Sequence, residues 1–213
     1  MSIATSRPFY SMQKILDKLR LNSFMIFIDG AQIVDARTGI TVWKRSINPD
    51  SVADILRIGR KYDLRIGFSD FRQDLYAKKL KDVAAVEVAD IYFENVPLGK
   101  IVNIERELSA VRNITTHRII LKRKDVVGLD ITDVLATKQH AVVHAARFMN
   151  VNPKNIIGVG DGPNDYSLLM ACGLKVAMGN AVAQIKAVAD VVAPSVGEDG
   201  AAWVIDKFRV YCS

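Results

Sequence analysis

The sequence predicts an α/β fold whose main sheet is largely parallel and covered by helices on both faces. Two observations predict it. From about residue 137 short apolar strands alternate with helical stretches, and a strand such as 156–160, Ile-Ile-Gly-Val-Gly, has no polar face to turn toward water. The length of 213 residues is enough for one ordinary domain or two small ones with a sizeable core.

Taken in order, the first element is a helix at 9–20, with Pro8 suited to a first helical position and Ile15, Leu16 and Leu19 forming its apolar stripe. Strand-like runs follow at 24–28, 32–34 and 40–44, the last after the turn signal Arg37-Thr38-Gly39. Asn48-Pro49-Asp50 opens a helix with Val52, Ile55, Leu56 and Ile58 on its buried side. The middle, about 64–131, alternates short strands and helices and ends in two β-rich runs at 117–121 and 126–131. A helix then runs over 138–150 behind Thr137 as N-cap. Strands at 156–160, 174–178 and 191–193 alternate with helices near 166–171, 182–189 and 200–208. In such sheets ligands sit at the carboxyl ends of the strands.

Composition narrows the class. Half the residues are hydrophobic and 24% are charged, the balance of a soluble globular protein rather than a disordered one. No apolar run approaches the roughly 20 residues of a membrane-spanning helix, and the start lacks the order of a secretory signal. Two cysteines, Cys172 and Cys212, are too few for a disulfide framework, so a reducing cytoplasm is the expected setting. Lys and Arg outnumber Asp and Glu by 29 to 23, for a net charge of +6. The basic residues are scattered. Their densest run, Lys122-Arg123-Lys124, adjoins Asp125 with no interleaved aromatic, so no nucleic-acid surface is expected. A cleft for a phosphorylated small molecule fits the charge, as does a plain solvated face.

Three segments could carry chemistry. Gly160-Asp161-Gly162-Pro163-Asn164-Asp165 follows an apolar strand and sets Asp161 and Asp165 at the ligand edge. Hard oxygen donors of this kind suit magnesium, while the same residue types also make an ordinary turn. Lys138 opens a helix, either as a point charge for phosphate or as an exposed helix lysine. Thr5-Ser6-Arg7 before Pro8 stands at a strand-to-helix junction that binds an anion or merely caps the helix. His140 and His144 lie four apart without the glutamate of a zinc-protease helix, and read as ordinary helix residues. Cys172 reads as a small core residue. G-x-S-x-G and Walker loops are absent from the sequence.

Together these pieces resemble the haloacid dehalogenase (HAD) superfamily, specifically Cof-like phosphatases with a type IIB cap. Residues 158–165 resemble the fourth motif, G-D-G-x-N-D, and Ala177-Met178-Gly179-Asn180-Ala181 the A-M-G-N-A segment after it. Glu198-Asp199-Gly200 resembles the last substrate-side loop, and Lys138 falls where the third-motif lysine belongs. Ala4-Thr5-Ser6-Arg7-Pro8 is similar to the second motif, A-T-G-R-P, with Ser6 for glycine. Asp29-Gly30-Ala31 is similar to the N-G-A turn that opens the cap. The resemblance implies a Rossmann-like core of residues 1–22 and 132–213 with an inserted α+β cap, 23–131, that encloses the leaving group. It implies magnesium-dependent hydrolysis of a small phosphomonoester such as a sugar phosphate. Asp161 would ligate magnesium and Asp165 would support or complete that site. Thr5 and Lys138 would hold phosphoryl oxygens with Asn180 close by, and Arg7 and Asn164 would support them.

One part of the pattern is missing. The first motif, D-x-D-G-T, supplies the family's nucleophile, and no such stretch stands in the chain. Phe27-Ile28-Asp29-Gly30-Ala31 has Phe27 where a nucleophile would stand and lies downstream of the second motif. Leu129-Asp130-Ile131-Thr132-Asp133 lacks the following glycine and belongs to the cap exit. A strand, a helix and two connections make about 25–30 residues. The expectation is a truncated or split phosphatase with an incomplete core sheet, inactive alone, less stable than a complete relative, and prone to self-associate or accept a complementing strand. The alternative is a non-catalytic module that binds a phosphorylated ligand or a protein partner.

Overall fold

The computed structural model describes residues 1–76, 83 and 86–208, so Cys212 lies outside the described residues. The chain divides into two compact units, 1–136 and 137–213.

The first unit begins with residues 3–5, which run beside β1 (Phe24–Phe27) through a parallel bridge at Ala4 and Ile26. Ile26 N–H donates to the Ile3 carbonyl at 2.8 Å, and Thr5 N–H to the Ile26 carbonyl at 3.0 Å. α1 (Phe9–Leu19) connects the two stretches, with Pro8 just ahead of its first turn and Arg20 closing it at φ 48°. Its buried residues are Met12 and Leu16, one helical turn apart. Ile15 and Leu19, expected in the stripe, stand 38% and 47% exposed, because the face centred on 12 and 16 leaves them on the flank. β1 continues antiparallel into β2 (Gln32–Asp35) and β3 (Ile40–Lys44). Strand β1 stops at Phe27, one residue short of the sequence expectation, because Ile28, Asp29 and Gly30 take φ of 51°, 49° and 115° in succession. Ile28 is nonetheless fully buried, so packing holds a β-branched residue where it is normally unfavourable.

A five-stranded antiparallel sheet fills the rest of this unit. Its strands are β4 (Arg65–Ser69), β5 (Asp74–Tyr76), β6 (Asp90–Pro97), β7 (Ile114–Ile120) and β8 (Val126–Asp133), in the order β5-β4-β6-β8-β7. Helices α2 (Pro49–Lys61) and α3 (Leu98–Leu108) cover one face. The side chain of Asn48 caps α2 by accepting from Asp50 N–H. Alternation then decides the two faces. Phe68, Ile91, Phe93, Leu129 and Ile131 point into the helices with Ile55, Leu56, Ile104 and Leu108. The opposite face carries Ser69, Asp74, Asp90, Tyr92, Asp130 and Thr132. Gly67 lies under Tyr92 there, since a Cβ at 67 would come within 2.1 Å of the ring.

The second unit contains a parallel sheet in the order β11-β10-β9, formed by β9 (Ile157–Gly160), β10 (Leu174–Ala177) and β11 (Val191–Val192). Helices α4 (Lys138–Phe148), α5 (Tyr166–Ala171), α6 (Ala183–Val188) and α7 (Gly200–Phe208) accompany it. Leu169, Val176, Ala177, Ile185 and Val204 form the buried cluster. The elements match the sequence expectation within a residue or two at each end. α4 stops at Phe148, two residues early, with Asn150 in the left-handed region at φ 54°.

Phe93 is fully buried in the larger cluster. Phe93→Ala should lower unfolding stability by about 3–5 kcal/mol in denaturant titrations, while Ile104→Val costs about 0.5–1.5 kcal/mol.

Candidate active site

The second unit gathers most of the polar residues picked out by sequence. β9 ends at Gly160, and Asp161 stands exposed beyond it, at the carboxyl edge of the parallel sheet. The chain then folds through a 3-10 turn, Pro163–Asp165, into α5. Asp165 turns back and is buried. Its Oδ2 accepts from the backbone N–H groups of Asp161 and Gly162, both at 3.0 Å. Gly160 makes this possible: a Cβ there would lie 2.5 Å from that of Asp165. Asp165 Oδ1 accepts from Lys138 Nζ at 2.6 Å, and Lys138 is only 4% exposed. The exposed-lysine reading of position 138 is therefore wrong. Thr137 caps α4 by accepting from His140 N–H and so sets the first turn from which Lys138 projects.

Asn180 follows β10 and donates from Nδ2 to Asp161 Oδ2 at 3.0 Å, while its Oδ1 accepts from Val196 N–H at 2.9 Å. Lys138, Asp161, Asp165 and Asn180 thus form one linked group. Asn164 lies within the same turn, where its carbonyl accepts from Ser167 Oγ at 3.5 Å. In the Glu198-Asp199-Gly200 loop, Glu198 closes a capping box with Ser195 and Asp199 takes φ 55°.

Thr5 and Arg7 belong to the first unit. Thr5 Oγ1 accepts from Arg7 N–H at 3.2 Å, and Asp29 N–H donates to the Thr5 carbonyl at 3.2 Å. Ser6 Oγ donates to Asp29 Oδ1 at 2.9 Å, so the Thr5–Arg7 turn and the 28–30 turn are tied together.

The donor set fits magnesium in a limited way. Asp161 offers one exposed carboxylate, whereas both oxygens of Asp165 are already engaged by Lys138 and backbone N–H groups. Among the described residues no group of three His, Cys, Asp or Glu side chains could hold a metal ion. One carboxylate is within what magnesium takes from a protein, because substrate phosphate and water supply its other oxygens. His140 and His144 take no part: His140 Nδ1 lies 2.8 Å from Thr137 Oγ1, and burial lowers the His144 pKa with help from Arg147 and His140. Cys172 is buried, which pushes its thiol up to about 11.

Sequence reasoning missed a second polar group, on the face of the antiparallel sheet that α2 and α3 leave uncovered. Asp90 and Asp130 sit diagonally on β6 and β8, since Asp90 pairs with Thr132 and Tyr92 with Asp130. Burial, with Asp74 and Asp29 nearby, pushes the Asp90 carboxyl up to about 7. Burial, then Asp90 and Asp29, raises Asp130 well above the usual carboxylate range. The signal in the sequence was a lone carboxylate inside an otherwise apolar strand, Val126-Val127-Gly128-Leu129-Asp130-Ile131.

Residues 1–205 match the haloacid dehalogenase-like hydrolases, and the chain belongs to that family. It is 24% identical to the 5-amino-6-(5-phospho-D-ribitylamino)uracil phosphatase YcsE of Bacillus subtilis, over 95% of this chain and 79% of that protein. A haloacid dehalogenase-like hydrolase from Bacteroides thetaiotaomicron superposes with a TM-score of 0.84 at 21% identity, covering 97% of this chain and 85% of that one. The HAD subclass IIB sugar phosphatase BT4131 superposes at 0.80 with 19% identity, covering 98% and 85%.

Lys138→Met leaves an ionised Asp165 buried without its cation and should cost about 3–5 kcal/mol in chemical denaturation. The Lys138→Met/Asp165→Asn double variant should lose less than the sum of the two single changes. A second expectation concerns pH. A carboxyl whose folded pKa is raised binds its proton more tightly in the folded state, so its stabilising contribution is present at acid pH and is lost as pH rises through about 7. Thermal melts should therefore show Asp90→Asn stabilising at pH 8, with each kcal/mol worth about 2–4 °C, and the gain shrinking toward pH 5.

Proposed function

We propose that this chain is the scaffold of a magnesium-dependent phosphatase acting on a small phosphomonoester, with residues 1–22 and 132–213 as core and 23–131 as cap. The observation that carries the reading is the linked group Lys138, Asp165, Asp161 and Asn180 at the carboxyl edge of a parallel sheet. Lys138 and Thr5 bind phosphoryl oxygens, with Asn180 beside the phosphate and Arg7 and Asn164 in support. Asp161 holds magnesium, which when bound neutralises phosphate charge. Asp165 keeps Lys138 and the 160–162 backbone in place rather than ligating the metal itself. Sugar phosphates are the first substrates to try, supported by the sugar phosphatase and the ribitylaminouracil phosphatase among the similar proteins. A cytoplasmic setting belongs to the same reading, supported by the two-cysteine composition and the buried, unreactive Cys172. Among the described residues no helix is long and apolar enough to cross a membrane.

The covalent step needs a nucleophile, and no aspartate of the sequence stands in a D-x-D-G-T pattern. We therefore expect turnover only when a segment carrying that pattern is supplied. Two features favour such a segment: β9 forms one edge of its sheet, and residues 3–5 pair with β1 along a single described side. Where no segment is supplied, a homo-oligomer joined through these edges is the expected substitute.

The test is magnesium-dependent hydrolysis of p-nitrophenyl phosphate by the purified chain, with Asp161→Ala as control and with a D-x-D-G-T strand peptide added. Background rates alone and a gain of about a hundredfold or more with the peptide would support the phosphatase scaffold. Phosphate binding without any peptide effect would favour a non-catalytic binding module. Turnover by the chain alone that Asp161→Ala abolishes would sink the missing-nucleophile reading, with Asp29 the first residue to test.

A further inference from the structure

A carboxylate patch lies on the face of the five-stranded sheet turned away from α2 and α3. Ser6 Oγ bonds Asp29 Oδ1, and the charges of Asp29 and Asp90 both act on Asp130. Asp90 Oδ1 accepts from Ser69 N–H at 3.1 Å. Asp74 completes the patch, held by Tyr10 O–H at 2.6 Å. In a chain with net charge +6, four acidic residues have converged. Among the described residues neither Lys nor Arg forms an ion pair with Asp90 or Asp130. His117 faces Asp130 from β7, and Tyr92 faces it from β6.

Two atoms in this patch are unsatisfied. Asp130 is 6% exposed and Thr132 fully buried, and Asp130 Oδ1 and Thr132 Oγ1 have no hydrogen-bond partner. Both point to the same face of β8, and Thr132 pairs across to Asp90. A buried acceptor left unmade costs about 1–3 kcal/mol, more when charged, so such a group is tolerated where something else completes it. A metal ion is a poor candidate, since no three acidic or imidazole side chains come close enough to ligate one among the described residues. An organic ammonium is larger, carries three diverging donors and a full charge, and meets spaced carboxylates without a tight coordination shell. Asp90 is half-buried and so within reach of a ligand, with Thr132 across from it and Asp130 diagonal to it on β8.

We propose that Asp90 and Asp130 form the receptor for a protonated amine on the leaving group, so that the substrate class is an amine-bearing phosphomonoester. This rests on the phosphatase reading, which assigns the phosphate to Thr5 and Lys138 and the leaving group to residues 23–131. The phosphate end and the amine end of such a substrate are linked within the first unit by the Thr5, Ser6 and Asp29 contacts.

Calorimetric titration tests it with two ligand pairs: phosphoethanolamine against 2-hydroxyethyl phosphate, and glucosamine 6-phosphate against glucose 6-phosphate. At pH 8 at least one amine should bind about tenfold or more tighter than its hydroxyl counterpart. At pH 6 the preference should fall below about threefold as Asp90 takes up a proton. Asp90→Asn and Asp130→Asn should each bring the amine-to-hydroxyl ratio to within about twofold. Equal binding of both pairs at pH 8 would overturn the inference and leave a proton held among the carboxyls as the patch's only cation. A preference that survives both substitutions would overturn it as well. Lys138→Met separates this from failure of the phosphatase reading. If it changes no affinity while the amine preference persists, the phosphate assignment fails and the amine receptor stands.

Discussion

The ion pair between Lys138 and Asp165 is the constraint on which the second unit's polar site depends. A buried ammonium and a buried carboxylate each lose hydration on folding; pairing replaces part of it for both, and two backbone N–H groups replace more of it for the carboxylate. Their union fixes three things together. It seats the start of α4, locks the turn after β9, and leaves Asp161 as the carboxylate that faces outward. The division of labour between two aspartates four residues apart therefore comes from burial rather than from residue type. Gly160 is the backbone condition for it, because any side chain there would push Asp165 off the strand end.

Much of this could be read from the amino acids. The alternation of apolar strands and helices after residue 137 gave the parallel sheet, and the Asn48-Pro49-Asp50 cap gave the start of α2. Asp161 and Asp165 were found because turn formers packed with carboxylates at a strand end are a local pattern, whereas Asn180 came only from the family resemblance. What failed depended on distant packing. Ile15 and Leu19 have the right type for a buried stripe, but the face of α1 that is covered is centred on Met12 and Leu16. Position 138 admitted both a phosphate-binding and an exposed lysine, because the partner beside which it is buried lies 27 positions away. Asp90 and Asp130 gain their meaning only from the pairing of β6 with β8 across about 40 residues of chain, which periodicity cannot register.

The antiparallel sheet shows how one set of strands serves two purposes. Its helix-covered face is a conventional apolar core, and that core makes the sheet rigid enough to hold unfavourable groups on the other side. Asp90, Asp130 and Thr132 are neighbours of Ile91, Leu129 and Ile131 along the same strands, so the carboxyls cannot retreat without exposing the core. Carboxyl groups are thus kept together by apolar burial, and the crowding shows as the raised pKa of Asp90 and Asp130.

The run of left-handed residues at Ile28, Asp29 and Gly30 has a mechanical meaning. A β-branched residue in that region costs about 1–3 kcal/mol, and here the cost is offset by burying Ile28 among Met12, Phe27 and Val34. Conformational energy is therefore stored where the chain passes from β1 into the hairpin, beside the residues that bond to Thr5 and Ser6. If the small cluster under α1 loosens, the turn relaxes and takes Asp29 with it. The junction behaves as a latch: it stays set while a modest patch of apolar packing is intact, and releases both neighbouring turns together when that packing is lost.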